Sequence, residues 1–439
     1  MTKRSLRLRA IVEFLVVIVC TASFVFSALG IAVALLGKGS AGSRDFVEYW
    51  AAGHLLTQHA NPYDSSAVLS LERSAGYPSD MPALVMANPP YTLPLMLPLG
   101  LLNARAAELA WILLLIASLA VSIQIVRSMH GNPKNLLHLL GYAFAPVLSC
   151  LLSGQVSIFL LLGLVLFLRF HRTHPFWAGA ALWLCMLKPH LFLSFGVVLL
   201  LWIFHTRSYR ILAGVAASLV ASSAAAMAFN PPIWTQYQQM MKVERVDRAI
   251  MQCLGSMLRM YVPPHTILLQ CLPAAIGCVW ALAYFVKRRD TWDWIEDGSL
   301  VLLVSVFTAP YTWFMDQAVL IPALLHRAYT ARSRALISIL ALLSALVEIA
   351  ILRGIPLLHS TLYIWTAPAW LLWYIVAMKP SQIVSPPPKS LALEESAPAQ
   401  RETHMEKAGR DLGAAGAGIL ERWMIGAEVH RPIISHGGD

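Results

Sequence analysis

The sequence predicts an all-α membrane protein, a polytopic bundle of about twelve transmembrane helices. Three observations lead there. Of 439 residues, 58% are hydrophobic and only 13% are charged, about half the share of roughly 25% found in soluble domains. The mean hydropathy is +0.63, too apolar to cover a water-soluble surface of this size. Apolar runs of near-spanning length also recur from residue 11 to residue 378. A soluble enzyme, a collagen and a wholly disordered chain are excluded on these numbers.

In order, the runs lie near 11–36, 105–126, 135–152, 155–170, 175–188, 190–205, 210–228, 266–286, 298–309, 316–327, 334–352 and 360–378. The first exceeds the 7–15 apolar residues of a signal peptide, so a retained helix is expected. Lys3, Arg4, Arg7 and Arg9 precede it, and connections 127–134, 169–172, 207–210, 287–289 and 327–334 each carry at least two Lys or Arg. The positive-inside rule then places both termini in the cytoplasm and the long segments 37–104 and 229–265 outside. Residues 92–102, with Pro94 and Pro98, form a short apolar piece expected to re-enter or lie at the interface. Residues 1–379 thus read as one transmembrane domain. Residues 380–439 read as a cytoplasmic, largely disordered tail, opened by Pro386-Pro387-Pro388 and acidic at Glu394, Glu395, Glu402 and Glu406.

Polar residues that collect against this apolar background carry the functional signal, because an ionisable side chain in lipid is costly. The first external segment opens Arg44-Asp45-Phe46-Val47-Glu48-Tyr49-Trp50. As a helix it places Asp45, Glu48, Tyr49 and Ala52 on one face, a carboxylate built into a cavity; a plain helix N-cap is the alternative for Asp45. Asn61-Pro62-Tyr63-Asp64 is a turn signal, and Asn88-Pro89-Pro90-Tyr91 leads back to the bilayer. Ser153-Gly154-Gln155, Lys188-Pro189-His190 and the run from Ala309 to Gln317 are external turns more polar than bare connectors need. Lys188 on that side runs against the topological bias and asks for an anionic partner. Snorkelling to the interface is its alternative, an interhelical role that of Gln155, and pairing with Lys188 or Arg44 that of Asp316.

Other classes find no support. The six cysteines contain no CxxC pair, and the 14 histidines no HExxH or HxxxH, so neither a disulfide framework nor a metal site is expected. The net charge of +10 follows membrane topology, with no call for nucleic acid. The Gly413–Gly418 run has no strand before it, so it does not make a dinucleotide fingerprint.

Taken in order, these blocks resemble glycosyltransferase family 87, the polyprenyl-phosphate-mannose-dependent mannosyltransferase-like membrane proteins of the GT-C fold. The likeness rests on Arg44 through Gly53, Asn61 through Asp64, Asn88 through Tyr91, Gly154-Gln155, Lys188-Pro189 and Pro310-Tyr311 through Asp316, and it covers roughly residues 10–380. It implies a GT-C-like bundle whose long first external loop carries short interfacial helices. It also implies inverting transfer of a sugar from a polyprenyl-phosphate-sugar donor to a glycolipid or glycan acceptor on the non-cytoplasmic face of the cell membrane. Asp45 would be the general base. Lys188, helped by Arg44 and His190, would meet the lipid phosphate, and Gln155, Tyr311 and Asp316 would bind sugar hydroxyls. Glu48, Tyr49, Asn88 and Tyr91 join them as candidate substrate-binding residues. No metal and no cofactor is called for, since the donor is already a lipid phosphate. Mannose is the family default, although mannose-using members tend to carry a histidine where Phe314, Met315 and Asp316 stand here. The rival readings are a multi-pass secondary transporter or flippase of a glycolipid or solute, and a non-catalytic lipid-binding scaffold.

Overall fold

The computed structural model describes scattered positions between Phe14 and Leu29 and residues 45–243, 251–331, 333–354 and 361–378. Arg44 and the tail from 380 onward therefore lie outside the described residues. Everything described is helix, turn or irregular chain, with no strand.

Two helices follow the start of the described region. Helix α1 (Phe46–Thr57) buries nearly its whole circumference, as expected of a helix apolar on every side. Helix α2 (Ser65–Ser74) begins at Asp64, whose side chain accepts the Ser66 and Ala67 N–H groups, a standard cap. The chain then passes through an irregular stretch to a 3₁₀ turn, Pro90–Leu95, and the single-turn α3 (Leu97–Gly100). This is the 92–102 piece, and it is too short to cross a bilayer. Gly53 of α1 and Gly100 of α3 meet backbone to backbone: a Cβ on Gly53 would fall on the Met96 carbonyl, and one on Gly100 on the Gly53 carbonyl.

The bundle proper comprises α4 (Ala104–Met129), α5 (Ala145–Ser153), α6 (Ser157–Phe170), α7 (Pro175–Ala181), α8 (Leu193–Thr206) and α9 (Tyr209–Phe229). After α10 (Ile233–Val243) and α11 (Leu254–Tyr261) come α12 (Ile267–Arg288), α13 (Asp297–Thr308), α14 (Ile321–Thr330), α15 (Arg334–Leu352) and α16 (Thr366–Ala377). Among the described residues, five stretches are long and apolar enough to cross a membrane: Ala104–Met129, Pro189–Thr206, Tyr209–Phe229, Ile267–Thr291 and Arg334–Leu352. Ser157–Phe170, Pro175–Leu187, Asp297–Thr308 and Thr366–Ala377 are shorter apolar helices. Two of the expected runs are broken. Residues 135–152 divide at Ala143-Phe144, before Pro146 in the first turn of α5. Residues 316–327 divide between a 3₁₀ turn, Phe314–Leu320, and α14 with Pro322 in its first turn. Proline at the start of a helix tolerates its missing N–H there and fixes where the helix begins.

Helix α9 buries only Ile211, Gly214 and Ala226 along its length, and α12 exposes Leu268, Leu272, Ile276, Val279, Leu282 and Val286. Such continuous outward apolar faces suit hydrocarbon rather than water. The polar side chains turn inward instead. At the N-terminal end of α13, Glu296 accepts from Arg327 at 2.6 Å and is bonded by His326 at 2.7 Å. The C-terminal end of the same helix leads into Pro310 and Tyr311, where the candidate site lies.

Candidate functional site

Asp45 holds the N-cap position of α1, but its side chain makes no cap bond. It turns across the fold to accept Gln155 Nε2 at 2.9 Å. Glu48 and Tyr49, one turn on, follow it on the same face. Gln155 is delivered by the end of α5. Gly154 stops that helix in the left-handed region at φ 75°, where glycine carries no penalty, and a Cβ there would stand 2.7 Å from the Phe46 Cβ. Gly154 also accepts the Trp111 indole N–H through its carbonyl at 2.6 Å, and Trp111 packs against Phe46 and Tyr49. The first turn of α1 and the α5–α6 corner are thus one packed unit.

The orientation of the Gln155 amide follows from its neighbours. Its Oε1 accepts the Tyr49 hydroxyl at 2.8 Å and Lys188 Nζ at 3.1 Å. Both are donors, so the oxygen must face them and the NH₂ must face Asp45, which as a carboxylate only accepts. Lys188 sits between the 3₁₀ turns Cys185–Leu187 and Pro189–Phe192, outside the helical region that a following proline disfavours. Its ammonium pairs with Asp316 Oδ1 at 2.7 Å. Asp316, wholly enclosed, also accepts Ser157 Oγ at 2.6 Å and the Trp313 backbone N–H at 2.9 Å. Asp45, Gln155, Lys188 and Asp316 therefore form a continuous chain of bonds across the fold, with Tyr49 joining at the amide.

One cavity of about 540 Å³ opens on this chain. Asp45, Glu48, Tyr49, Asn88, Gln155, Lys188, His190 and Tyr311 all line it, so eight of the expected residues share a chamber. Gln155 and Lys188 are only 7% exposed and offer the cavity an edge of each group. His190 Nε2 is buried without a hydrogen-bond partner among the described residues, its ring edge-on to Tyr311 with centroids 5.0 Å apart. Burial, with the Asp45 charge beside it, pushes the Glu48 carboxyl up to about 8, and the Tyr49 hydroxyl and Lys188 only partly oppose this. The chamber thus presents one carboxylate anchored by an amide, one acid held neutral near pH 7, and one cation.

Two expected residues stand elsewhere. Asp316 lies behind Lys188 rather than on the cavity wall. Tyr91 donates to the Met186 carbonyl at 3.1 Å and faces a separate apolar groove with Trp234 and Leu219–Met227 of α9. Asn88 does line the cavity, while its amide donates to the Leu187 carbonyl at 2.6 Å. Sequence reasoning missed Trp313, whose indole N–H donates to the Tyr311 hydroxyl at 3.0 Å, and Tyr237 and Met241 of α10, all on the wall. An amphipathic pattern marks α10 in the sequence, but nothing there says which face meets a cavity.

A carboxylate, a neutral acid, a cation and aromatic walls thus share one chamber. The family model for Glycosyltransferase family 87 matches residues 87–352, a range that holds Asn88, Gln155, Lys188, His190, Tyr311 and Asp316 and leaves Asp45, Glu48 and Tyr49 outside it. No curated protein and no solved structure matches the chain. With more than half its length matched and a polar chamber set among apolar helices, the chain belongs to glycosyltransferase family 87 and is a membrane glycosyltransferase.

Proposed function

We propose that the protein moves a hexose, with mannose the default, from a polyprenyl-phosphate-sugar donor to a glycolipid or glycan acceptor on the non-cytoplasmic face of the cell membrane, inverting the anomeric carbon. In the topology that goes with this reading the chain crosses about twelve times in a GT-C-like bundle, counting short and broken helices as crossings. The observation that supports the mechanism is the single chamber holding Asp45 and Lys188 on either side of Gln155.

Asp45 takes the proton of the acceptor hydroxyl as its oxygen attacks the anomeric carbon from the face opposite the phosphate. The Gln155 NH₂ holds the carboxylate in place without supplying a proton it could keep. As the sugar–phosphate bond breaks, charge grows on the leaving phosphate, and Lys188 is the cation nearest to meet it. Lys188 is already balanced by Asp316, so its position is fixed before substrate arrives and little reorganisation is needed during the reaction. Neutral Glu48 adds no second negative charge to a cavity that must admit an anion. The donor's isoprenoid places the phosphate at the membrane surface, so the protein has no nucleotide to recognise. In this reading Tyr311 meets sugar hydroxyls, and His190, on the same cavity wall, helps Lys188 at the phosphate.

Membranes containing the protein, given a radiolabelled polyprenyl-phosphate hexose, should yield a glycosylated product of inverted anomeric configuration. A nucleotide sugar offered in its place should yield none. Retained configuration, or transfer from the nucleotide sugar alone, would overturn the proposal.

A further inference from the structure

Glu72 of α2 is wholly enclosed, and its surroundings are unusual for a carboxyl group. Among the described residues the only hydrogen-bonding partner of its side chain is the Leu84 backbone N–H, which lies 3.2 Å from Oε1 and 3.1 Å from Oε2. No cation among the described residues pairs with it. Arg73, next to it in sequence, donates to the Ser79 carbonyl at 3.0 Å, and the Tyr77 hydroxyl donates to the Pro82 carbonyl at 3.0 Å. Glu48 of α1 feels the Glu72 charge, and Tyr77 feels it together with those of Asp45, Glu48 and Asp80, none of which would stabilise an anion.

A carboxylate offers about four lone-pair sites. Buried with one N–H to share between its two oxygens and no counter-charge, it is strongly disfavoured against the neutral acid, which can still accept that N–H. Burial accordingly raises the Glu72 carboxyl to about 7, opposed only by the Leu84 bond. What Glu72 grips is part of the site. Pro82–Ala87 has no regular structure, and Leu84, Val85, Ala87, Asn88 and Pro89 form one wall of the cavity that holds Asp45 and Lys188. The grip on Leu84 thus fixes the wall where it meets substrate, from the side away from the cavity.

We infer that Glu72 is a positioning residue for the substrate cavity: its neutral carboxyl clasps Leu84 and holds the 82–89 wall closed, and its ionisation releases that wall. Once charged, the carboxylate needs water, and water reaches it only if the irregular segment lifts. The clasp belongs to the low-pH side. The closed state binds the Glu72 proton more tightly than the open one, so closure is favoured at low pH and is lost as pH rises from the ordinary carboxylate range through about 7.

Hydrogen exchange of the whole protein in detergent or nanodiscs tests this without any substrate. After correction for intrinsic rates, amides of 82–87 in the wild type should exchange about tenfold faster at pH 8 than at pH 6, levelling above 7, from the linkage between an open carboxyl of ordinary pKa and the raised closed one. Glu72→Gln should remove that pH dependence while helices α1 and α2 keep their protection. A wild-type segment whose corrected exchange does not change with pH overturns the inference, even should Glu72→Gln fail to fold. So does an undiminished pH dependence in the variant. The consequence for catalysis rests on the proposed transfer reaction: KM for a polyprenyl-phosphate hexose should climb over the same pH range in the wild type and not in Glu72→Gln, with kcat within about twofold. Flat KM profiles in both proteins overturn the wall's part in binding. Absence of transfer by the wild type would count against the proposed function, and the exchange result would still decide the clasp.

Discussion

At the scale of single residues, the site is set by which side chains have their charge answered. Lys188 is answered by Asp316 and Asp45 by the Gln155 amide, whereas Glu48 has the Asp45 charge beside it and keeps its proton to about 8. A carboxyl whose folded value lies above its ordinary one is bound more tightly to its proton when folded. Its contribution to stability is therefore present at low pH and falls as pH rises from the carboxylate range through about 8. Transfer should fall in parallel above pH 8, because ionised Glu48 would set a second negative charge in a cavity that admits an anionic donor. Glu48→Gln should flatten that alkaline limb in a pH–rate profile; a limb unchanged in the variant would remove Glu48 from the account. Much of this scale was legible in the sequence. Asp45, Gln155 and Lys188 stand out because polar residues are scarce in so apolar a chain. Their partnership was not legible, since Gln155 and Asp45 are 110 positions apart and the amide's direction depends on donors from two further segments. Trp313 was hidden for another reason: among 14 tryptophans, nothing local marks the one whose ring faces a cavity.

At the scale of elements, glycines decide how closely α1 can approach its supports. Gly53 lets α1 lie on α3, and Gly154 lets the α5–α6 corner lie on Phe46. In sequence both look like ordinary loop or helix glycines, because the need for them comes from the facing segment. Gly53→Ala would set a methyl on the Met96 carbonyl and push α1 away. Overpacking of this kind costs about 1–3 kcal/mol and should lower the thermal midpoint in detergent. It should also cut transfer, because Asp45 and Glu48 ride on the same helix. A midpoint and rate equal to the wild type would show that the α1–α3 contact is looser than described. The broken elements carry a parallel lesson. Residues 135–152 and 316–327 each read as one apolar run, yet Pro146 and Pro322 lie in the first turns of new helices within them, and Asp316, the partner of Lys188, lies in the 3₁₀ turn before the second break.

At the scale of the whole molecule, the buried pair between Lys188 and Asp316 joins segments 128 positions apart and ties the centre of the bundle to the cavity floor. Removing one partner leaves the other charged and enclosed, which costs about 3–5 kcal/mol, while replacing both is far milder. Lys188→Met should therefore lower the thermal midpoint strongly. The double variant Lys188→Met with Asp316→Asn should recover most of that loss and yet remain inactive in transfer, separating the lysine's structural part from its catalytic one. A double variant that regains transfer along with stability would show that the leaving phosphate is met by another group.

The account turns on Asp45 as the base, and the most direct measurement is single-turnover transfer from a radiolabelled polyprenyl-phosphate hexose by purified wild type and Asp45→Asn, matched for thermal midpoint. General-base catalysis is worth about 10²–10⁴ in rate. A loss of that size with little change in donor affinity is the predicted result, and a variant that transfers within about threefold of the wild type would contradict it.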